Sequence, residues 1–322
     1  MNVAVIGLGL IGGSLLRALA ARGHHVTGYD VSEATRHAAA EAAAEPGADG
    51  LGWRVAADIP DAVADAELVV LAVPLPALPV VTADLAGFTG LITDVTSVKG
   101  PVRDLLKGRR YVGGHPMAGK ESSSFLASDP DLFDGCAWVL CLEPGETELD
   151  DWLRLAALYT SIGARVVPAT ADEHDEAVAR ISHVPHLLAA ALSGLIEGNP
   201  LAGALAAGSF RDGTRVAATR AELIAAMCGG NAAAVRRVLA EVLDRLEACD
   251  AELASPDPVA ALTSSLRRPG ELRRAWPVAG GVTVRVDREA GALLNLGRAG
   301  GWLTDAGPDL VGQRPGTDRN DS

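Results

Sequence analysis

The first 30 residues restrict the chain to one kind of topology. Asn2-Val-Ala-Val-Ile6 is a short apolar run of strand character, and it leads into Gly7-Leu8-Gly9-Leu10-Ile11-Gly12-Gly13-Ser14. Leu15, Leu16 and Leu19 follow at helical spacing, and a second apolar run, His25 to Tyr29, ends on Asp30, 18 residues beyond Gly12. Strand, glycine turn, helix, strand and acid make a βαβ unit of the kind that binds dinucleotides. Glycine-rich turns also serve tight packing alone, but here the flanking elements and the acid favour the binding reading. Gly7 permits the tight turn, Gly9 lets the backbone approach a pyrophosphate, and Gly12 allows close packing of the helix. The backbone of Leu8, Leu10 and Ile11 completes the loop, with helix N–H groups offered to the phosphates. The carboxylate of Asp30 suits two ribose hydroxyls and repels a 2′-phosphate, which selects NAD over NADP.

Beyond this unit, short apolar runs alternate with helical stretches. An alanine-rich helix, Glu33 to Glu45, precedes the continuously apolar run Glu67 to Pro74, and further strands are expected at Leu91–Asp94, Tyr111–Gly114, Ala137–Leu142 and Ala164–Pro168. The fold class is therefore α/β, a Rossmann-type doubly wound sheet, with Val73 and Pro74 placed where the adenosine side of a cofactor meets the sheet. From Ala171 to about Ala254 only helical periodicity is present, so an all-helical domain follows. From Ser255 the composition shifts to Pro, Gly and Arg, with one alternating strand, Val282 to Val286, and a polar end, Arg314 to Ser322, expected to be disordered. The expected organisation is 1–169 for nucleotide binding, 170–255 for the helical domain and 256–322 as a tail or the degenerate remnant of a further domain. The helices carry more apolar surface than a small core needs, which points to a homodimer through them.

A chain of 322 residues that is 48% hydrophobic buries a large core. Its net charge of −13 argues against nucleic acid or an anionic membrane as partner, and requires an anionic substrate to be captured by local cations. Cys136, Cys141, Cys228 and Cys249 show neither CxxC spacing nor histidines at metal-ligand intervals, so they read as reduced thiols and no metal is expected. No apolar run reaches the roughly 20 residues of a membrane span, and no leader pattern opens the chain. A cytoplasmic protein is expected.

Two segments placed just after expected strands carry chemistry: Asp94-Val-Thr-Ser97-Val-Lys99-Gly100 and Gly113-Gly-His115-Pro-Met-Ala-Gly-Lys120-Glu121. A histidine flanked by Gly, Gly and Pro is a poor core filler, and its ordinary pKa suits it to accept a proton near neutrality. In the helical region Glu173-His174-Asp175 leads into Ser182-His183-Val184-Pro185-His186, and Gly208-Ser-Phe-Arg211-Asp-Gly-Thr-Arg215 follows later. Pro185 inside a helical pattern removes the bond to the Ile181 carbonyl and predicts a kink. His183 and His186 lack a third ligand at a usable spacing for zinc.

Taken in order, the glycine loop, Thr-Ser-Val-Lys, His-Pro-Met-Ala-Gly-x-Glu, Ser-His-x-Pro-His and Phe-Arg-Asp-x-Thr-Arg resemble the prephenate/arogenate dehydrogenase family over residues 1 to about 250. The resemblance implies NAD-dependent oxidative decarboxylation of a small cyclohexadienyl dicarboxylate: prephenate, or alternatively arogenate, which differs in an amino group for a keto group. It implies that His115 takes the 4-hydroxyl proton, that Ser97 orients His115, and that Arg215 pairs with the ring carboxylate. His183 would contact the substrate, Glu121 would order the mouth of the pocket, and Lys99 and Lys120 would add positive potential. Where the family often has a Pro and then a Trp after the arginine motif, this chain has Ala221 and Ile224. β-Hydroxyacid dehydrogenases share the glycine loop and helical domain but need a lysine in that domain, and no lysine follows Lys120. A non-catalytic NAD sensor is the rival from another class; Ser97, His115 and Arg215 together argue against it.

Overall fold

The computed structural model describes residues 1–44, 52–119, 124–276 and 281–316. The chain divides into two compact units, Met1–His174 together with Val282–Ser322, and Asp175–Gly281. In the first unit β1 (Asn2–Ile6), α1 (Leu10–Ala21), β2 (His25–Tyr29), α2 (Glu33–Ala44), β3 (Arg54–Val55), α3 (Ile59–Val63), β4 (Leu68–Leu71), α4 (Leu78–Asp84), β5 (Leu91–Asp94), α5 (Gly100–Leu105) and β6 (Tyr111–Val112) build the doubly wound layer. The six strands lie in the order β3-β2-β1-β4-β5-β6 and pair in parallel. The continuous apolar runs are explained by burial on both faces. Val3 and Val5 of β1 enter one core with Leu15, Leu16 and Leu19 of α1, while Ala4 and Ile6 enter the other with Leu71 and Leu78.

The later strands leave this sheet. β7 (Gly114–Pro116), β8 (Ala137–Cys141) and β9 (Arg165–Ala169), with α6 (Leu149–Ser161) between the last two, belong to a second six-stranded sheet. β7 pairs antiparallel with β8, and β8 pairs parallel with β9. After β9 comes α7 (Ala171–Val178), in which the chain passes from one unit to the other.

The second unit is built of helices among its described residues up to Trp276: α8 (Val184–Gly194), α9 (Pro200–Leu205), α10 (Gly208–Thr214), α11 (Ala221–Gly230), α12 (Ala232–Leu253) and α13 (Pro258–Arg274), joined by short turns. Its small core gathers Ala179, Val184, Ala234, Val235 and Val238. A π-helical segment, Ala179–His183, precedes α8, and Pro185 lies in the first turn of α8, where a missing N–H is tolerated. Leu195, Leu201, Leu205 and Leu253 are among the large apolar side chains left exposed. Among the described residues no single helix is long and apolar enough to cross a membrane.

The region expected to be a tail from residue 256 is instead structured. Asp257 caps α13 by accepting the Ala260 N–H at 3.0 Å, with Pro258 in the first turn where its missing N–H costs nothing. Then β10 (Gly281–Val286), α14 (Ala290–Arg298), β11 (Trp302–Ala306) and β12 (Leu310–Pro315) complete the second sheet in the order β10-β12-β11-β9-β8-β7. β11 pairs antiparallel with β9 and with β12. The boundary expected at 169/170 falls a few residues later, between His174 and Asp175, while the one expected at 255/256 gives way to one between Gly281 and Val282, so that the first unit includes both ends of the chain. Of the end segment Arg314–Ser322, Arg314 and Pro315 lie in β12, and residues 317–322 are outside the described set.

Candidate active site

Parallel pairing brings the carboxyl ends of five strands to one edge. Across the sheet they carry Asp30 (after β2), the glycine loop (after β1), Val73-Pro74 (after β4), the Asp94–Lys99 segment (from β5) and Gly113-Gly114-His115 (after β6). The change of winding direction lies between β1 and β4, and ligands of such sheets bind outside the carboxyl ends at that point.

The glycine loop has the form a dinucleotide needs. Gly7 has φ +99°, a conformation that disfavours any side chain, and a Cβ there would lie 2.4 Å from the Ala72 carbonyl oxygen and 3.0 Å from Val73 Cγ1. A Cβ on Gly12 would lie 1.9 Å from the Gly7 carbonyl oxygen. These approaches place Val73 directly against the loop. Gly9 is the N-cap of the 12-residue α1 and provides no side-chain cap, so Leu10 and Ile11 begin a helix whose first N–H groups face no capping side chain. Asp30 accepts the Leu8 N–H at 2.8 Å through one oxygen and the Ser32 N–H at 2.8 Å through the other. The carboxylate is thereby fixed beside the loop. Pro74, beyond Val73, is exposed.

Further along the edge, Asp94 is fully buried and organises two segments at once. One oxygen accepts the Tyr111 hydroxyl at 2.7 Å and the Gly114 N–H at 3.1 Å. The other accepts the Thr96 N–H at 3.0 Å, the Thr96 hydroxyl and the Lys99 ammonium. Lys99, only 1% exposed, also donates to the Gly114 carbonyl at 2.6 Å and the Thr96 hydroxyl at 3.1 Å. This corrects the expectation of a substrate-facing Lys99. A buried ammonium requires a buried carboxylate, and this pair ties the β5 loop to the strand carrying His115.

His115 lies in β7 between Gly114 and Pro116, both buried, and is itself half-buried because alternate residues of a strand face opposite sides. Its Nδ1 stands 2.8 Å from Nε2 of His174, with the rings at 75°. Ser97, expected to orient His115, is half-buried and among the described residues forms no hydrogen bond with it. The bonds that fix the loop run through Thr96 instead, and the partner at His115 Nδ1 is an imidazole from α7.

In the second unit His183 is fully buried, its Nδ1 3.2 Å from the Asn231 amide nitrogen, which also donates to the Asp175 carbonyl at 2.7 Å. His183 was expected to contact the substrate; it is buried within the helices and belongs to this network. Arg215 is exposed and, among the described residues, forms no ion pair. Lys120 and Glu121 lie outside the described residues. No group of three or more described His, Cys, Asp or Glu side chains is arranged to hold a metal.

Sequence reasoning missed the roles of Asp94, Thr96 and His174. For His174 a local signal existed. Thr170-Ala-Asp-Glu173 is a capping box, with Glu173 accepting the Thr170 N–H at 2.9 Å and Thr170 Oγ1 accepting the Glu173 N–H at 3.2 Å. It announces the helix whose first turn carries His174.

A glycine loop at the switch point of a parallel sheet, an acid bonded to that loop and a histidine on the same edge define a nicotinamide-dependent dehydrogenase. Comparison with known proteins agrees. Residues 15–168 match the family model described as prephenate dehydrogenase, nucleotide-binding domain, and residues 170–265 match prephenate dehydrogenase, dimerization domain. A cyclohexadienyl dehydrogenase of Zymomonas mobilis is 35% identical over 271 residues, covering 80% of this chain and 89% of the relative. A prephenate dehydrogenase of Bacillus subtilis is 34% identical over 239 residues, 68% of this chain, and is longer, so that the match spans 61% of it. The crystal structure of a putative prephenate dehydrogenase from Corynebacterium glutamicum superposes with a TM-score of 0.76 at 36% identity, covering 85% of this chain and 89% of that one. The chain belongs to the prephenate dehydrogenase family, NAD-dependent oxidoreductases with this nucleotide-binding and helical architecture.

Proposed function

We propose that the protein catalyses the NAD-dependent oxidative decarboxylation of prephenate to 4-hydroxyphenylpyruvate. The observation that carries this reading is His115, held by the Asp94 network at the same sheet edge as the glycine loop. Gly7, Leu8, Gly9, Leu10, Ile11 and Gly12 would cradle the pyrophosphate, Asp30 the ribose hydroxyls, and Val73-Pro74 the wall beside them. When bound, NAD supplies the acceptor for the hydride that leaves C4 of the ring. His115 accepts the 4-hydroxyl proton as C4 becomes a carbonyl. The C1–carboxylate bond then breaks, CO2 leaves, its electron pair aromatises the ring, and the proton returns to the phenolic oxygen. Aromatisation drives the step, so the protein's work is positioning and proton removal.

A dianionic substrate in a protein of net charge −13 needs a local cation. The exposed Arg215 guanidinium has the geometry to pair with a carboxylate through two hydrogen bonds. Ser97, on the loop that Asp94 fixes, is left to contact the hydroxyl or the nicotinamide. Arogenate is the second reading, supported by the cyclohexadienyl dehydrogenase among the relatives, a name that does not restrict the side chain. The protein acts as a homodimer in this reading, through the helical unit with its exposed Leu195, Leu201 and Leu205. A monomer mass in light scattering at micromolar concentration would reject that.

NADH absorbance is followed with prephenate or arogenate, each with NAD or NADP, for the wild type and His115→Asn. Turnover of one substrate with NAD and a kcat lower by roughly 10²–10⁴-fold in the variant, with substrate still bound, is expected. A wild type inert with both substrates overturns the reading.

A further inference from the structure

His174 is given no role by the motifs or by the mechanism above, yet it is the described partner of the ring on which that mechanism turns. An N···N separation of 2.8 Å between two imidazoles has room for one proton. If both nitrogens carried hydrogen the rings would repel, and if neither did two lone pairs would face each other.

We propose that His174 is a positioning residue that accepts the Nδ1–H of His115 and so keeps His115 in the tautomer whose Nε2 is a bare base. This rests on the reading of His115 as proton acceptor. The opposite arrangement, with His174 Nε2–H donating to His115 Nδ1, leaves the only proton of a neutral His115 on Nε2, where the substrate hydroxyl proton must arrive. That arrangement also fails after proton transfer. The imidazolium of His115 carries hydrogen on both nitrogens and would meet a second donor 2.8 Å away. With His174 as acceptor, the same transfer turns a neutral hydrogen bond into a charge-assisted one, so the contact strengthens as the proton leaves the substrate.

The surroundings hold His174 for this task. It is 2% exposed and lies in the first turn of α7, its N–H bonded to the Thr170 carbonyl at 2.9 Å. The capping box closes that turn, Glu173 is pinned to Arg298 at 2.6 Å, and the Ala171 N–H donates to Glu143 at 2.6 Å. A neutral imidazole in this place also has an electrostatic sense. An Asp or Glu would fix the same tautomer, but would add negative charge beside a substrate that carries two carboxylates.

The test uses the full chain. His174→Phe keeps a ring but no acceptor, and His174→Gln restores an amide oxygen near the position of Nε2. His174→Phe should lose about 10- to 100-fold in kcat with KM for substrate and NAD within about twofold, while His174→Gln recovers most of the rate. Equal kcat in wild type and His174→Phe overturns the proposal. So do equal losses in both variants together with a lowered Tm, which would mark a merely structural residue. Ring 15N NMR of the wild type reads the tautomer without any substrate: His115 protonated at Nδ1 supports the proposal, and His115 protonated at Nε2 overturns it. If His115→Asn retains full activity the proton-acceptor reading fails by itself, and the ring spectrum still decides whether His174 sets the tautomer.

Discussion

Lys99 shows how a residue expected to add positive potential beside a substrate takes a structural post. It is one of only three lysines against 25 arginines, and its ammonium is sealed with the Asp94 carboxylate at 1% exposure or less for both side chains. Removing one member of a buried pair leaves the other charge without compensation, typically at a cost of about 3–5 kcal/mol. Lys99→Met should lower the urea unfolding free energy by about that much. Asp94→Asn combined with Lys99→Met should recover part of the loss, because no naked charge remains. A single variant as stable as the wild type would mean that the buried pair contributes nothing. Motif order marked this segment as important, but only folding distinguishes a lysine turned toward Gly114 from one turned toward substrate. The same holds for His115, whose flanking glycine and proline singled it out, while the identity of its Nδ1 partner required α7 to return from 59 residues away.

At the scale of the element, α7 is the part whose geometry the active histidine depends on. Burial alone would raise the Glu173 carboxyl, but the Thr170 N–H, the Arg298 guanidinium and the Thr170 hydroxyl outweigh it and hold it below its ordinary 4.5. A carboxyl with a lowered folded pKa adds stability above its unfolded pKa and loses it as the pH falls through the folded value. Acidification from pH 6 to below 4.5 should therefore lower the Tm of the wild type more than that of Glu173→Gln. If the two melting curves shift in parallel, the carboxylate is not what holds the cap. Two other elements separate what was legible from what was not. Pro185 marked an irregularity that the sequence reads as a kink, and a π-helical segment, Ala179–His183, stands just before α8. Pro269 masked α13, although Asp257-Pro258 was a valid helix start, because a proline inside a pattern reads as a stop and the exposed helix lacks a strong apolar stripe.

For the molecule as a whole, the C-terminal segment from Val282 is part of the first unit. Leu293, Leu294 and Leu296 of α14 and Leu303 of β11 are buried in the same core as Leu140, Leu155 and Val166. Each fully buried leucine contributes about 1.5–3 kcal/mol, so their loss exceeds what a domain can spare. A chain ending at Trp276 should be recovered insoluble, or should unfold without a cooperative transition in thermal melts followed by circular dichroism. A truncated chain that melts like the full one would show that the second sheet stands without β10–β12.

What the amino-acid sequence determined by itself is what depends on near neighbours. The glycine loop, its helix, the acid that follows and the apolar strands are each local, and parallel strands must then end at one edge. Five motifs in order also sufficed to identify the family. Tertiary structure decided what depends on distant partners: the departure of β7 from the first sheet, the pairing of β11 with β9, the buried bond between Asp94 and Lys99, and the contact of His115 with His174. Each joins segments whose local patterns are compatible with several partners, and only simultaneous packing of the whole chain selects one.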